Sequence, residues 1–168
     1  TPEAVDAAAE AGADAIGFVF YAKSVRAIDI DAARALAERL PPFVTPVGLF
    51  VNAAPAEIES ALQAIPNLLL QFHGDEAPED CERWGRPYLR AVAMTRETRL
   101  LDFAAQFPRA HALLLDAPVD GRTRQPPSLR HGRVGIAVDH LAQHLDRLQG
   151  LPAIAGGFRI VFHCCYSL

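Results

Sequence analysis

Short apolar runs alternate with longer amphipathic stretches along the chain, and this alternation predicts its secondary structure. Runs with the length of a buried strand span residues 15–20, 47–51, 68–72, 88–92, 112–115 and 152–155. The stretches between most of them have apolar residues at intervals of three and four, which is typical of helices. A run that is apolar throughout indicates burial on both faces, as in parallel strands covered by helices. The pattern therefore predicts an α/β fold with a parallel sheet, and not an antiparallel sandwich.

Capping residues and prolines indicate where the helices begin and end. Asp31 can accept a hydrogen bond from a free backbone N–H of a first turn, and Pro41 prevents the helix from continuing beyond Leu40. The apolar period predicts another helix over residues 95–107, with Leu101 among the side chains that face inward. Strands, helices and loops of these lengths are ordinary for an α/β protein.

Composition limits the class of protein. A chain of 168 residues with 51% hydrophobic and 21% charged residues is expected to form one domain, residues 1–168. Its net charge of -4 gives no electrostatic indication of nucleic acid or of an anionic membrane as a partner. No apolar stretch approaches the roughly 20 residues of a membrane span. The three cysteines form neither a zinc pattern nor a disulfide framework, which favours a cytoplasmic protein.

Two segments near the C-terminus differ from the rest. Residues 121–150 are rich in arginine and histidine and have an apolar period only over 138–148, while residues 158–168 end the chain without a clear pattern. The basic cluster is compatible with a patch that binds phosphate or nucleic acid. A solvated loop or an altered sequence is the favoured interpretation.

Polar or glycine residues follow several of the predicted strands. In a parallel barrel the carboxyl ends of the strands meet at one face, where the active site forms. The candidate functional residues are therefore Lys23, Ser24, Arg26, Asn52, His73, Asp116, Gly156 and Gly157.

Five segments in succession resemble the phosphoribosylanthranilate isomerase family. They are GADAIGFVFYAKSVRAI (12–28), LPPFVTPVGLFVN (40–52), LLQFHGDE (69–76), RPYLRAV (86–92) and LLLDA (113–117). The resemblance covers residues 1 to about 120 and returns briefly at residues 155–157. It implies an incomplete TIM (β/α)8 barrel that contains at most the second to seventh strands, truncated at its N-terminus. It also implies an aldose–ketose isomerase of tryptophan biosynthesis.

The resemblance implies a reaction and a role for each matching residue. The reaction is the Amadori rearrangement of a phosphosugar substrate, which needs a general acid and a base but neither a metal nor an organic cofactor. By its place at the end of the LLLD strand, Asp116 matches the general acid of the family. Desolvation at the rim of an apolar barrel can raise the pKa of such a carboxyl group, so that it can donate a proton. Arg26 matches the residue that binds the anthranilate carboxylate, and His73 one that orients the substrate. Gly156 and Gly157 match a pair whose backbone N–H groups approach the phosphate.

Two motifs of the family are missing from the sequence. The general base is expected to be a cysteine in a KxCGxT segment upstream of Thr1, and Cys81, Cys164 and Cys165 do not match it. The GGxGxxFDW segment expected after Asp116 is replaced, which favours a shifted reading frame from about residue 121. An inactive fragment of the isomerase is therefore an alternative. A different phosphosugar barrel fits the motifs less well. Open barrel edges would favour self-association.

Overall fold

The computed structural model describes residues 1–95 and 97–116 together with the backbone of residues 159–162. The described residues form a six-stranded parallel sheet whose strand order follows the chain order. Its strands are β1 (Ala15–Val19), β2 (Thr45–Phe50), β3 (Leu69–Phe72), β4 (Tyr88–Ala93), β5 (Ala112–Asp116) and β6 (Arg159–Phe162). The helices are α1 (Pro2–Glu10), α2 (Ile30–Ala37), α3 (Pro55–Ala64), α4 (Pro78–Glu82) and α5 (Leu100–Gln106). The predicted α/β fold with a parallel sheet is thereby confirmed.

Side chains alternate between the two faces of the sheet. The helix-facing side carries most of the core, in which the rings of Phe50 and Phe72 lie 6.5 Å apart and those of Phe72 and Tyr88 lie 5.8 Å apart. The opposite face has a smaller apolar cluster that includes Val47 and Leu89. The parallel register places Val47 opposite Leu69, and Leu89 opposite Ala112. This second face corresponds to the interior of a barrel.

The start of α2 differs from the prediction. Asp29, and not Asp31, is the N-cap, since its carboxylate accepts a hydrogen bond of 2.7 Å from the backbone N–H of Ala32. Asp31 lies in the first turn, where a carboxylate interacts favourably with the helix dipole. Both positions suit an aspartate, so the sequence did not distinguish them.

Helix α5 is shorter than predicted. It begins at Leu100 because Thr95 and Thr98 form a turn before it. The Thr98 hydroxyl oxygen Oγ1 accepts a hydrogen bond from the backbone N–H of Thr95 and donates one to the carbonyl oxygen of Ala93, both at 2.9 Å. Such local hydrogen bonds compete with helix formation. The inward placement of Leu101 was wrong, because this side chain is 41% exposed.

Strand β6 lies in a segment that the sequence analysis considered atypical. Its backbone pairs with β5, with Arg159 opposite Ala112 and Phe162 opposite Leu115. The predicted strand at 152–155 and the predicted helix at 138–148 lie outside the described residues, as does the whole of segment 121–150. Within the described part of the chain, no helix has the length and apolar character needed to cross a bilayer.

Two buried ionisable groups should make the fold sensitive to alkali. Burial in the helix-facing core raises the pKa of the Cys81 thiol from 9.0 to about 12 and that of the Tyr88 phenol from 10.0 to about 12. Above pH 9 the unfolded chain releases protons that the folded chain retains, so the free energy of unfolding falls as the pH rises. We expect the urea midpoint to be insensitive to these two groups below pH 9 and to fall between pH 9 and pH 12.

The double variant Cys81→Ala, Tyr88→Phe is the control for this alkaline effect. It removes both titrating groups and leaves apolar side chains in their place. Its urea midpoint should therefore decline less steeply over the same pH range. Equal slopes for the parent chain and the variant would show that other groups cause the decline.

Candidate active site

A cavity of about 520 Å³ opens at the carboxyl ends of β2, β3 and β4. Side chains from four connections line it, among them Tyr21, Asn52, His73 and Thr98. The position agrees with the expectation that chemistry in a parallel barrel lies beyond the carboxyl ends of the strands. Tyr21 and Thr98 were not predicted as site residues. The signal for Tyr21 is its place directly after the first strand run.

The structure brings two of the predicted site residues together. His73 follows β3 and Asp116 ends β5, and His73 Nε2 lies 2.9 Å from Asp116 Oδ2. Both side chains are partly exposed, 23% for His73 and 40% for Asp116, so a bound molecule could reach them. An imidazole that is hydrogen-bonded to a carboxyl group can fix the position of that group and share its proton.

Arg26, Gly156 and Gly157 are placed differently. Arg26 lies in the connection between β1 and α2, where its backbone N–H donates to Ser24 Oγ at 3.1 Å. It is not among the described residues that line the cavity. Gly156 and Gly157 lie outside the described residues. Of the predicted residues, His73 and Asp116 are in direct contact, and Asn52 lines the same cavity as His73.

Glu76 connects the turn after β3 to the turn after β2. Its Oε2 accepts from the backbone N–H of Gly74 at 2.9 Å, and its Oε1 accepts from the backbone N–H of Asn52 at 2.7 Å. Asn52 adopts a left-handed backbone conformation with φ of 49°. Its Oδ1 accepts from the backbone N–H of Asp75 at 2.7 Å. These bonds fix the segment that directly follows His73.

Arg90 on β4 supports the same turn from the helix-facing side. Its guanidinium donates to the carbonyl oxygens on either side of His73, to Phe72 at 3.0 Å and to Gly74 at 2.7 Å. Arg90 Nη1 also lies 3.6 Å from Glu76 Oε2, and both side chains are buried. Two phenylalanine rings lie 4.9 and 5.4 Å from the guanidinium carbon. Sequence reasoning missed this pair, although an arginine inside an apolar strand indicates a buried charge that needs a carboxylate.

Gly74→Ala should disturb this turn. A Cβ atom at position 74 would lie 2.5 Å from Asn52 Oδ1 and 2.8 Å from the backbone nitrogen of Asn52, closer than van der Waals contact allows. We expect a loss of about 1–3 kcal/mol in the free energy of unfolding. Gly17→Ala is the control, because nothing lies within 4 Å of its added Cβ. Urea denaturation compares the two, and equal stabilities would contradict the contact.

Among the described residues, no three His, Cys, Asp or Glu side chains form a group that could bind a metal ion.

Comparison with known proteins gives the family. The profile for "N-(5'phosphoribosyl)anthranilate (PRA) isomerase" matches residues 1–143 of the chain. The chain belongs to the PRA isomerase family. Its fold is accordingly that of the family's TIM barrel, present here in part.

Curated PRA isomerases are close in sequence to this chain. The enzyme of Methylibium petroleiphilum is 68% identical over 117 residues, which cover 70% of this chain and 55% of that protein. The enzyme of Leptothrix cholodnii is 60% identical over 120 residues, which cover 71% of this chain and 54% of that protein. The chain spans about half the length of the curated relatives that it matches.

Solved structures of PRA isomerases share the fold. The Thermotoga maritima structure is 34% identical with a TM-score of 0.64, and the match covers 79% of this chain and 62% of that one. The Thermus thermophilus structure is 37% identical with a TM-score of 0.64, covering 73% and 60%. A further PRA isomerase was solved in complex with reduced 1-(o-carboxyphenylamino)-1-deoxyribulose 5-phosphate. It is 36% identical with a TM-score of 0.64, covering 71% and 61%.

Proposed function

We propose that the complete protein isomerises N-(5'-phosphoribosyl)anthranilate, a phosphosugar, in the biosynthesis of tryptophan. The observation that carries this proposal is the His73–Asp116 pair at the carboxyl ends of β3 and β5. The Asp116 carboxyl group is partly exposed and contacts His73, which lines the cavity, so it can act as a general acid on a sugar bound there. Membership of the PRA isomerase family supports the choice of substrate.

The proposed reaction uses Asp116 in its first step. Asp116 donates a proton to the furanose ring oxygen while the bond between this oxygen and the anomeric carbon breaks. The anthranilate nitrogen, which keeps its hydrogen, supplies the electron pair that forms the resulting iminium ion. A base then removes the proton from the adjacent sugar carbon C2, which gives a neutral enamine with a hydroxyl group on C2. Protonation of C1 and loss of the hydroxyl proton convert this enamine to the aminoketose. We propose that Arg26 binds the anthranilate carboxylate, that His73 orients the substrate, and that Gly156 and Gly157 contact the phosphate.

The base is not provided by the described cysteine. Cys81 lies fully buried in α4, and burial raises its pKa to about 12, so the thiol is protonated at neutral pH. Cys81 is also not among the described residues that line the cavity. This placement favours a second candidate, in which the chain by itself is an inactive fragment of the isomerase. The two candidates differ in whether the chain turns over substrate without a KxCGxT segment.

Complementation of a tryptophan auxotroph that lacks this isomerase separates the two candidates. One strain expresses the chain as given, and another expresses an extended chain with a KxCGxT strand before Thr1 and a GGxGxxFDW loop after Asp116. Growth from the extended chain alone would support the proposed reaction and assign the missing activity to those segments. Growth from the chain as given would exclude the inactive fragment. Failure of both, with both proteins folded, would contradict the proposed function.

We further propose that the chain self-associates and acts in the cytoplasm. In the described residues, β1 and β6 are the end strands of the sheet, and the outer edge of β1 forms one bridge there, from Val19 to Ala27. Such edges pair readily with a second chain. Sedimentation velocity over a range of concentrations should show a dimer or larger species, and a monomer at all concentrations would contradict this proposal.

A further inference from the structure

Gln71 is a buried polar residue for which the sequence predicts no role. It lies on β3, is 3% exposed, and pairs in register with Leu49 on β2 and Leu89 on β4. A buried amide among apolar neighbours is costly unless it forms hydrogen bonds. Gln71 and His73 are two residues apart and therefore lie on the same face of the sheet. The Gln71 amide nitrogen Nε2 lies 3.5 Å from His73 Nδ1.

The contact with the Gln71 amide nitrogen favours one arrangement of hydrogens on the His73 ring. An amide nitrogen can donate a hydrogen bond but cannot accept one, so Nδ1 must be the acceptor and carry no hydrogen. The hydrogen of the neutral ring then lies on Nε2, which faces Asp116 Oδ2 at 2.9 Å. The partner of one ring nitrogen thus determines the state of the other.

We propose that Gln71 is a positioning residue that fixes His73 as the neutral tautomer with its hydrogen on Nε2. In this state His73 Nε2 donates a hydrogen bond to Asp116 Oδ2. The other carboxyl oxygen, Oδ1, then carries the proton that Asp116 donates. The catalytic meaning of this arrangement rests on the proposed function. The tautomer itself can be measured without turnover, so the two proposals fail separately.

Long-range ¹H–¹⁵N correlation spectra of the ¹⁵N-labelled chain test the proposal directly. The ring signals of His73 are identified among the six histidines of the sequence by their loss in His73→Asn. At neutral pH we expect Nδ1 to give the signal of a nitrogen without hydrogen and Nε2 that of a nitrogen with hydrogen. A hydrogen on Nδ1, either alone or on both nitrogens, would overturn the proposal.

Gln71→Glu separates a positioning role from a merely structural one. The new carboxylate has nearly the same shape but accepts hydrogen bonds, so it should bring a hydrogen to Nδ1 and give a ring protonated on both nitrogens. Gln63→Glu is the matched control on the exposed surface of α3 and should leave the His73 signals unchanged. A folded Gln71→Glu chain with an unchanged His73 ring would overturn the proposal. If this variant does not fold, the spectrum of the parent chain decides.

Discussion

Replacing Arg90 with methionine is expected to lower the free energy of unfolding by about 3–5 kcal/mol. The substitution leaves the buried carboxylate of Glu76 without its cation, at a side-chain exposure of only 7%. It also removes the donors to the carbonyl oxygens of Phe72 and Gly74, which are then buried without those bonds. Equilibrium unfolding in urea measures the loss.

Arg99→Met is the matched control for the loss of an arginine in an ion pair. Arg99 Nε lies 2.9 Å from Asp102 Oδ2, but the Arg99 side chain is 81% exposed. Solvent screens such a pair, so its loss should cost about 1 kcal/mol or less. The double variant Arg90→Met, Glu76→Gln should recover part of the stability, because no charge remains buried. Equal costs for the Arg90 and Arg99 variants would contradict the importance of burial.

Asp116→Asn should lower the isomerase activity of the extended chain by about 10²- to 10⁴-fold. Asparagine has the same shape and can still accept from His73 Nε2, but it cannot donate the proton that ring opening requires. The loss should therefore appear in kcat more than in KM. Steady-state kinetics with purified N-(5'-phosphoribosyl)anthranilate measure both constants.

Asp102→Asn provides the control for this variant. Asp102 lies on the exposed surface of α5, so the same substitution there should leave kcat unchanged. The urea midpoints of both variants establish that any loss of rate is not a loss of folded protein. An Asp116→Asn enzyme with nearly full activity would remove Asp116 from the role of general acid.

The sequence predicted β1 to β5 well because continuous apolar runs allow few alternatives, but it did not predict β6, which lies in a segment without a clear pattern. It also predicted that His73 and Asp116 lie at one face of the sheet, since both follow such runs and the carboxyl ends of parallel strands meet there. Their direct contact depends on the register of β3, β4 and β5, for which no sequence pattern was available.

Polar residues inside the apolar runs were harder to interpret. Gln71 and Arg90 each interrupt a run, and alternation along a strand places them on opposite faces of the sheet. Their partners, His73 and Glu76, come from the turn after β3, whose conformation depends on hydrogen bonds across connections. Such bonds join residues that are distant in sequence or lie in irregular backbone, so hydrophobic periodicity does not indicate them.

The order of the strands has a consequence for how the chain folds during synthesis. Each described strand pairs with the next described strand in the sequence, from Ala15 opposite Thr45 to Leu115 opposite Phe162. A ribosome therefore releases each of β2 to β5 shortly after the neighbour on which it packs, whereas β5, which ends at Asp116, has to wait until Arg159 for β6. When consecutive strands pair, as β1 to β5 do, the loop between them is short, and closing it costs little conformational entropy. We expect the sheet to grow in one direction, from β1 towards β6, as translation proceeds.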